Sequence, residues 1–365
     1  MRILLVITGL GMGGAEKVVT SLADAMTAKG HDVRIAYMTG DALVLPTHAN
    51  VQVVSLGMVN KTDVVVALFK LRKLINDFQP DVVHSHMLHA NIMARLVRLL
   101  TPVQRLITTA HNINEGGRWH MLAYRLTDAL SDISTNVSAE AVAAFVQAKA
   151  VRQERMLALH NGIDTDNFIF CAEARMRVRQ ALQIKENGKL ILAVGRLHEQ
   201  KDYPNLLHAF AQLPVSAVNG VPHQLCIAGQ GPLRASLEAL TVKLDITDRV
   251  RFLGIRQDVA ALMSAADVFV LSSAFEGFGL VVAEAMACER VVVATDCGGV
   301  REVVGEAGYL VKPKDAKVLA LALLTALQLT ADESSALGRS ARQRVIDHYS
   351  LDSVIDKWLQ LYAVD

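Results

Sequence analysis

The chain has no excess of either charge and few cysteines. Within 365 residues, 37 Lys and Arg are balanced by 36 Asp and Glu, whereas a nucleic-acid-binding domain carries a clear basic excess. We therefore expect no nucleic-acid partner. The cysteines are scattered without CxxC spacing, so no disulfide framework is indicated and reduced thiols are expected. They are Cys171, Cys226, Cys288 and Cys297.

Long apolar runs are also missing. In the N-terminal stretch MRILLVITGLGMGG the apolar run ends after about six residues, at a series of glycines. Such a run is shorter than the apolar region of a secretion signal and far shorter than the roughly 20 residues that span a bilayer. The sequence therefore predicts a cytoplasmic location and leaves peripheral membrane contact open.

Short apolar strands alternate with amphipathic helices twice along the chain. The first series runs from RILLVIT to MLALHNG and the second from LILAVGRL to GYLVKP, with a polar stretch between them. This alternation is typical of parallel sheets with crossover helices. We predict an α/β protein of two tandem Rossmann-like, doubly wound domains, with the active site in the cleft between them. The predicted domains are 1–163, expected to bind the acceptor, and 189–348, expected to bind the nucleotide sugar. A linker is predicted at 164–188, and a C-terminal helix at 349–365 is expected to pack back on the N-terminal domain.

A glycine-rich turn, GLGMGGAEK, follows the first strand and leads into a helix. Such a turn lets backbone amides approach a phosphate closely. The spacing of Gly9, Gly11 and Gly14 resembles a dinucleotide fingerprint, but Tyr37 and Met38 end the second strand, where that fingerprint has an acidic residue. A nicotinamide cofactor is therefore disfavoured.

The strand ends of the second half carry cations and further glycines. Arg196 and Lys201 lie in VGRLHEQKDYP, from which both could reach one diphosphate. The alternative is a pair of ordinary solvated cations. The stretch AGQGPLRASL supplies another glycine turn, with Gly229 and Gly231.

Two glutamates flank a glycine loop in the stretch SSAFEGFGLVVAEAMAC. Glu276 lies on the loop, and Glu284 lies in the first turns of the helix that follows. The unpaired amides of a helix N-terminus favour an anion, whereas carboxylates repel one. Both features together suit a ligand that carries hydroxyl groups beside its phosphates. The alternative is a favourable acidic residue near a helix start.

Seven motifs, in order along the chain, resemble family 4 of the glycosyltransferases. They are GGAE at 13–16, TAHN with His111, NGID at 161–164, VGRL…KD, GQGP at 229–232, FEGFGLVVAEAMA and TDCGGVREVV. The resemblance implies the GT-B fold, a nucleotide-sugar donor, retention of anomeric configuration and catalysis without a metal or other cofactor. One departure is CERVVVATD, where Arg290 stands at or next to a position at which the family commonly has proline.

The resemblance also assigns roles to single residues. It implies that Glu284 holds the ribose hydroxyls of the donor and that Glu276 holds the hydroxyls of its sugar. The implied catalytic residues are His111 beside the transferred sugar, Arg196 and Lys201 at the diphosphate, and Glu276. The implied donor-binding residues are Gly13, Gly14, Arg196, Lys201, Gly229, Gly231, Glu276, Gly277, Phe278, Gly279, Leu280 and Glu284.

The stretch HSHMLH contains His84, His86 and His89, a composition compatible with a metal site. At the carboxyl end of a strand these histidines are expected instead to line an acceptor site, and the resemblance implies that no metal is needed. The acceptor-side candidates are His84, His86, Asn112 and Asn161.

The resemblance implies a retaining transferase that moves a hexose or N-acetylhexosamine from a nucleotide sugar, with UDP as the nucleotide expected from the family. The expected acceptor is a lipid-linked saccharide in the synthesis of lipopolysaccharide, O-antigen or capsule. A nucleotide-sugar epimerase on the same fold and a catalytically silent nucleotide-sugar-binding protein are the alternatives.

Three segments of the first domain mix cations with apolar or aromatic residues. They are KLRKL at 70–74, ARLVRLLTPVQR at 94–105 and GRWHMLAYR at 117–125. This composition is typical of a surface that rests on anionic lipid headgroups, although apolar residues facing the core beside solvated cations also account for it. Because a lipid-linked acceptor favours the membrane, we expect peripheral contact with the cytoplasmic face of the inner membrane.

Overall fold

The computed structural model describes residues 1–113, 115–185, 187–215 and 220–363. The chain divides into two compact units, one of Met1–Gly162 with Leu351–Asp365 and one of Ile163–Ser350. Each unit is built around its own parallel sheet.

In the described part of the first unit, seven parallel strands are ordered β3-β2-β1-β4-β5-β6-β7. The strands are β1 (Arg2–Ile7), β2 (Asp32–Thr39), β3 (Gln52–Met58), β4 (Val82–His86), β5 (Arg105–Ala110), β6 (Ile133–Asn136) and β7 (Met156–Ala158). The helices between them are α1 (Gly14–Ala28), α2 (Val64–Phe78), α3 (Leu88–Val97), α4 (Arg118–Thr127) and α5 (Ala139–Gln147). The strand order reverses between β1 and β4, as in a doubly wound sheet.

In the described part of the second unit, six parallel strands are ordered β10-β9-β8-β11-β12-β13. The strands are β8 (Leu190–Val194), β9 (Gln224–Ala228), β10 (Val250–Gly254), β11 (Val268–Leu271), β12 (Val291–Thr295) and β13 (Tyr309–Val311). The helices are α6 (Ala172–Ala181), α7 (Tyr203–Ala211), α8 (Arg234–Lys243), α9 (Val259–Ala265), α10 (Leu280–Ala287), α11 (Val300–Val304), α12 (Ala316–Gln328) and α13 (Ala331–Tyr349). The predicted fold class, two doubly wound α/β domains, is confirmed, and the order reverses here between β8 and β11.

The last helix, α14 (Leu351–Tyr362), belongs to the first unit and packs against α1. Lys29 of α1 pairs with Asp356 at 3.2 Å, and the Arg105 guanidinium donates to the Leu361 carbonyl. Trp358 and Tyr362 are buried. The apolar side of α14 therefore supplies part of the core of the first unit.

Residues 164–188, predicted as a linker, lie instead within the second unit. Helix α6 packs against α9, and Arg175 and Arg179 bind the Asp267 carboxylate at 2.6 and 3.1 Å. Two arginines of the polar stretch that was predicted as a linker thus neutralise this largely buried carboxylate, which needs a charged partner. The same arginines hold the pKa of Asp267 below its usual value against the effect of burial.

Candidate functional site

The loops after β8 and β11 meet at the reversal of strand order in the second sheet, where doubly wound folds place their ligands. The Ala274 amide donates to the Gln200 carbonyl at 2.8 Å, and the Ser272 hydroxyl donates to the Lys201 carbonyl at 2.8 Å. These bonds fix the two loops to each other. Residues far apart in sequence are thereby brought to one place.

Lys201 and Glu276 form an ion pair at the junction of these loops. Lys201 Nζ donates to Glu276 Oε1 at 2.6 Å, and the Ser273 hydroxyl donates to the same oxygen at 2.6 Å. The Lys201 and Glu276 side chains are only 17% and 9% exposed. Because a largely buried charge is stable only with a partner, each of these residues holds the other in position.

Arg196 lies on the same loop as Lys201, but its side chain is exposed. The neighbouring Leu197 is buried and its amide donates to the Gln230 carbonyl at 3.0 Å. The backbone around Arg196 is therefore anchored while the guanidinium faces solvent.

Gly229 and Gly231 allow the turn after β9 to pack on the loop after β8. A β-carbon at Gly229 would overlap the Gly195 carbonyl, and one at Gly231 would overlap the Leu197 carbonyl. Gly229 also has φ of +146°, a conformation that other residues rarely adopt. Both glycines, predicted to bind the donor, thus have a packing reason to be glycine.

The start of α10 carries the other predicted donor-binding residues. Gly279 precedes the helix with φ of 86°, and the Gly277 carbonyl accepts from the Gly299 amide at 3.1 Å. Phe278 is buried, with its ring 5.4 Å from that of Tyr349 in an edge-on arrangement, so this side chain anchors the loop. Leu280 is half-buried at the first position of the helix.

Glu284 lies on α10 and is only 5% exposed. A carboxylate at this depth is costly unless polar groups surround it. Its position near the start of the helix is the one predicted from the sequence.

A pocket of about 590 Å³ opens where the loops after β8 and β11 meet. The residues that line it are not among the predicted site residues, although most of them lie in the predicted stretches VGRLHEQKDYP and SSAFEGFGLVVAEAMAC. The lining residues are His198, Glu199, Gln200, Asp202, Asn205, Ala274, Phe275 and Lys314. Apart from Asn205 in α7, these residues lie in segments that follow the carboxyl end of a strand, and Lys314 follows β13.

In the first unit, α1 begins at Gly14, and Gly13 caps it at the preceding position. A β-carbon at Gly13 would meet the Glu16 carboxylate, so the end of the Glu16 side chain would have to shift to make room for it. Asn161 is buried and Asn112 is half-buried. The Asn112 carbonyl accepts from Asn136 Nδ2 at 3.3 Å.

His111 follows the end of β5 and is held on two sides. Its ring Nε2 lies 3.1 Å from His86 Nδ1, and its backbone amide donates to Glu115 Oε1 at 2.8 Å. The Tyr124 hydroxyl donates to Glu115 Oε2 at 2.5 Å. Burial lowers the pKa of His111 to about 4, so the ring is neutral at neutral pH.

His84 and His86, predicted to line an acceptor surface, are fully buried. His84 Nδ1 lies 2.6 Å from the Tyr362 hydroxyl and His84 Nε2 lies 2.6 Å from Thr109 Oγ1, and the tilted Trp358 ring lies 4.4 Å away between ring centres. Helix α14 thus covers this strand end, which corrects the prediction. Throughout the described residues, no group of three or more His, Cys, Asp or Glu is arranged to hold a metal ion.

Arg290, the departure from the family pattern, is a packing residue. Its Nε donates to the Cys288 carbonyl and its Nη1 to the Ala266 carbonyl, both at 2.8 Å. Its guanidinium lies 4.6 Å from the centre of the Phe170 ring. Burial lowers the pKa of Arg290 to about 10, so it remains charged at neutral pH.

Sequence models of two families match consecutive parts of the chain. The model described as "Glycosyltransferase Family 4" matches residues 12–167, and that described as "Glycosyl transferases group 1" matches residues 175–344. The first match lies almost wholly in the first unit and the second lies within the second unit.

Curated relatives and solved structures are similar to this chain. The "lipopolysaccharide core biosynthesis glycosyltransferase LpsE" of Rhizobium meliloti is 32% identical over 51% of this chain and 53% of its own length. The matched stretch spans about half the length of that protein and of one other curated relative. The "N-acetylgalactosamine-N,N'-diacetylbacillosaminyl-diphospho-undecaprenol 4-alpha-N-acetylgalactosaminyltransferase" of Campylobacter jejuni is 26% identical over 88% of this chain and 89% of its own.

Among solved structures, HepE of Anabaena in complex with UDP and glucose superposes with a TM-score of 0.85. The sequence identity is 20%, and the superposition covers 99% of this chain and 98% of HepE. The likeness shows the fold, which is the GT-B fold that the motifs implied.

Proposed function

The chain belongs to the glycosyltransferases, since its first part matches family 4 and its second part matches group 1, and we propose that it acts on a UDP-sugar. In the proposed reaction it transfers a hexose or N-acetylhexosamine with retention of anomeric configuration. The observation that carries this proposal is the buried Lys201–Glu276 pair at the reversal of strand order, with Arg196 exposed on the same loop. This combination offers cations to a diphosphate and a carboxylate to sugar hydroxyls. The UDP and glucose bound to HepE support the choice of donor.

The proposed acceptor is a lipid-linked saccharide of a cell-surface polysaccharide. The name of the Campylobacter relative contains diphospho-undecaprenol, and that of the Rhizobium relative contains lipopolysaccharide core biosynthesis. Among the described residues, none of the helices is long and apolar enough to cross a membrane. We propose that the protein reaches such an acceptor by peripheral contact with the cytoplasmic face of the inner membrane, through the cations that lie beside apolar residues at 70–74 and 117–125.

The proposed chemistry follows from charge. When the anomeric bond breaks, negative charge grows on the leaving diphosphate and the sugar gains oxocarbenium character. Fixed cations placed at the diphosphate stabilise that transition state more than the ground state. Arg196 and Lys201 have this role, and Glu276 keeps the Lys201 ammonium in place until the donor arrives.

Replacing the two glutamates by glutamine is expected to separate nucleotide binding from sugar transfer. Glu284→Gln should weaken UDP affinity about 10- to 100-fold with or without an attached sugar, because a hydrogen bond to a charged group contributes about 1.5–3 kcal/mol. Glu276→Gln should bind UDP nearly as wild type and lower turnover. Calorimetry with UDP and a transfer assay measure the two effects.

A matched control for both glutamates is Glu238→Gln, which changes an exposed carboxylate on α8. The control should bind and turn over like wild type. If Glu284→Gln and Glu276→Gln both behaved like this control, the two glutamates would have no part in donor binding.

Turnover is expected to persist in an excess of EDTA. The positive charge at the proposed leaving group comes from Arg196 and Lys201, so no divalent cation is needed to neutralise it. Initial rates should agree with and without chelator. A complete loss of activity that added metal restores would show that a metal ion, rather than these side chains, supports departure of the diphosphate.

A further inference from the structure

His86 contacts the ring of His111, and its own side chain is held in place by the core around it. Its Nδ1 lies 3.1 Å from His111 Nε2. The His86 side chain is fully buried, and its ring contacts that of His84 in a tilted arrangement with a centroid distance of 4.0 Å. His84 is in turn fixed by Thr109 and Tyr362.

The backbone of His111 is fixed separately, through Glu115. Glu115 accepts from the His111 amide with one oxygen and from the Tyr124 hydroxyl with the other. Asn91 Nδ2 donates to that hydroxyl at 2.9 Å and to the Thr109 carbonyl at 2.9 Å. These contacts fix the backbone of His111 but do not involve its ring. The contact between the rings of His111 and His86 therefore determines which ring nitrogen of His111 carries the proton.

Only one proton can occupy the hydrogen bond between the two rings. Burial lowers the pKa of both histidines, so both are neutral at neutral pH and each carries one ring proton. Either His86 Nδ1–H donates to His111 Nε2, or His111 Nε2–H donates to His86 Nδ1.

The buried surroundings of His86 favour the first arrangement. His86 Nε2 is buried without a hydrogen-bond partner among the described residues. In the second arrangement the His86 proton would sit on this nitrogen as an orphaned buried donor, which folded proteins rarely contain. In the first arrangement Nε2 is an unprotonated acceptor, and the proton of His111 is on Nδ1.

We propose that His86 is a positioning residue that holds His111 as the Nδ1–H tautomer, so that His111 meets the substrate as a hydrogen-bond donor. The inference rests on the proposed role of His111 at the transferred sugar. In this proposal His86, the second histidine of HSHMLH, orients His111 instead of contacting the acceptor as the sequence led us to expect. His86 acts through His111 and does not itself touch substrate.

Three substitutions at His86 separate this role from core packing. In His86→Asn the side-chain amide occupies the place of Nδ1–H and still donates to His111. In His86→Gln the side-chain amide lies one bond further from the backbone and no longer occupies the place of Nδ1. In His86→Leu the side chain fills the space but has no hydrogen-bond donor for His111. We expect His86→Asn to keep kcat within about 3-fold of wild type, and the Gln and Leu variants to lose about 10²-fold, as a misplaced catalytic group does. Equal activity of the Asn and Leu variants would overturn the proposal.

Nitrogen NMR of the wild-type protein tests the tautomer without any activity assay. With ¹⁵N-labelled histidine, assigned through a His111→Gln variant, the His111 ring should show a protonated Nδ1 and an unprotonated Nε2. His86→Asn should keep this pattern and His86→Leu should change it. A wild-type Nε2–H tautomer would overturn the proposal, whether or not the variants fold well.

The variant His111→Ala distinguishes between two failures, that of the proposed role of His86 and that of the proposed role of His111. If His111→Ala transfers sugar like wild type, the proposed role of His111 is wrong. If His111→Ala is inactive while a folded His86→Leu, judged by its melting temperature, is fully active, His111 acts without help from His86 and only the inference fails.

Discussion

Arg196→Met is expected to lower kcat by about 10²- to 10³-fold, the loss typical of removing one group that stabilises transition-state charge. Its melting temperature should equal that of wild type, because the Arg196 side chain is exposed and exposed substitutions change stability little. Steady-state transfer assays and thermal melts measure both quantities.

Lys201→Met should lower kcat by a similar factor and also destabilise the protein. It leaves the buried Glu276 carboxylate with the Ser273 hydroxyl but without its cation, and breaking a buried pair costs about 3–5 kcal/mol. In the double variant Lys201→Met/Glu276→Gln much of the stability should return, because no unpaired charge remains, while turnover stays low.

A control for these cation substitutions is Arg256→Met, which removes the partner of Asp258 elsewhere in the second unit. It should leave kcat unchanged. Normal turnover of both Arg196→Met and Lys201→Met would remove these cations from the proposed mechanism. A Lys201 variant that is destabilised but fully active would reduce that residue to a packing role.

Removing five cations from the first unit is expected to abolish its binding to anionic lipid. The variant replaces Lys70, Arg72, Lys73, Arg118 and Arg125 by glutamine, and all five are exposed. At about 1 kcal/mol per engaged cation, their loss lowers partitioning by on the order of 10³-fold at low salt. Wild-type binding should weaken as salt is raised.

The apolar side chains beside these cations support the same surface. Helix α3 contacts both α2 and α4, and exposed apolar residues lie on α2 and α4, among them Phe69 and Leu126. Trp119 on α4 is 82% exposed, and tryptophan is enriched where protein meets the membrane interface. The proposed membrane surface thus combines exposed apolar side chains with cations.

Co-sedimentation with liposomes containing anionic lipid decides the membrane proposal. A matched control replaces five exposed cations of the second unit by glutamine, so that its net charge changes by the same amount as that of the first variant. The control positions are Arg177, Lys243, Lys312, Lys317 and Arg339. Wild type and this control should be recovered with the lipid and the first variant should not; equal recovery of all three, or of none, contradicts the proposal.

The strands and the donor-site loops could be predicted because their signals are local. Apolar, β-branched runs mark the buried strands, and the reversal of strand order brings the loops with Lys201 and Glu276 together. The direct pairing of these two side chains was not predicted, because the sequence does not show which cation reaches which carboxylate.

The errors arose where a distant contact decides the environment of a residue. His84 reads as an exposed strand-end histidine until Tyr362, far along the chain, covers it. Arg95, within one of the three basic segments, is buried against Asp128, and Tyr124 of another is also buried. The first of these segments and the exposed side of α4 therefore supply the cations of the proposed membrane surface.

Incubation of the protein with a panel of nucleotide sugars tests the central claim most directly. The panel contains UDP-glucose, UDP-galactose, their N-acetylated counterparts and GDP-mannose, and released nucleotide is measured. The account predicts slow release of UDP from at least one UDP-sugar, lost in Arg196→Met, and a released sugar that has the anomeric configuration of the donor when observed by NMR before it mutarotates. Absence of nucleotide release from every donor, together with no calorimetric binding of UDP, would contradict it.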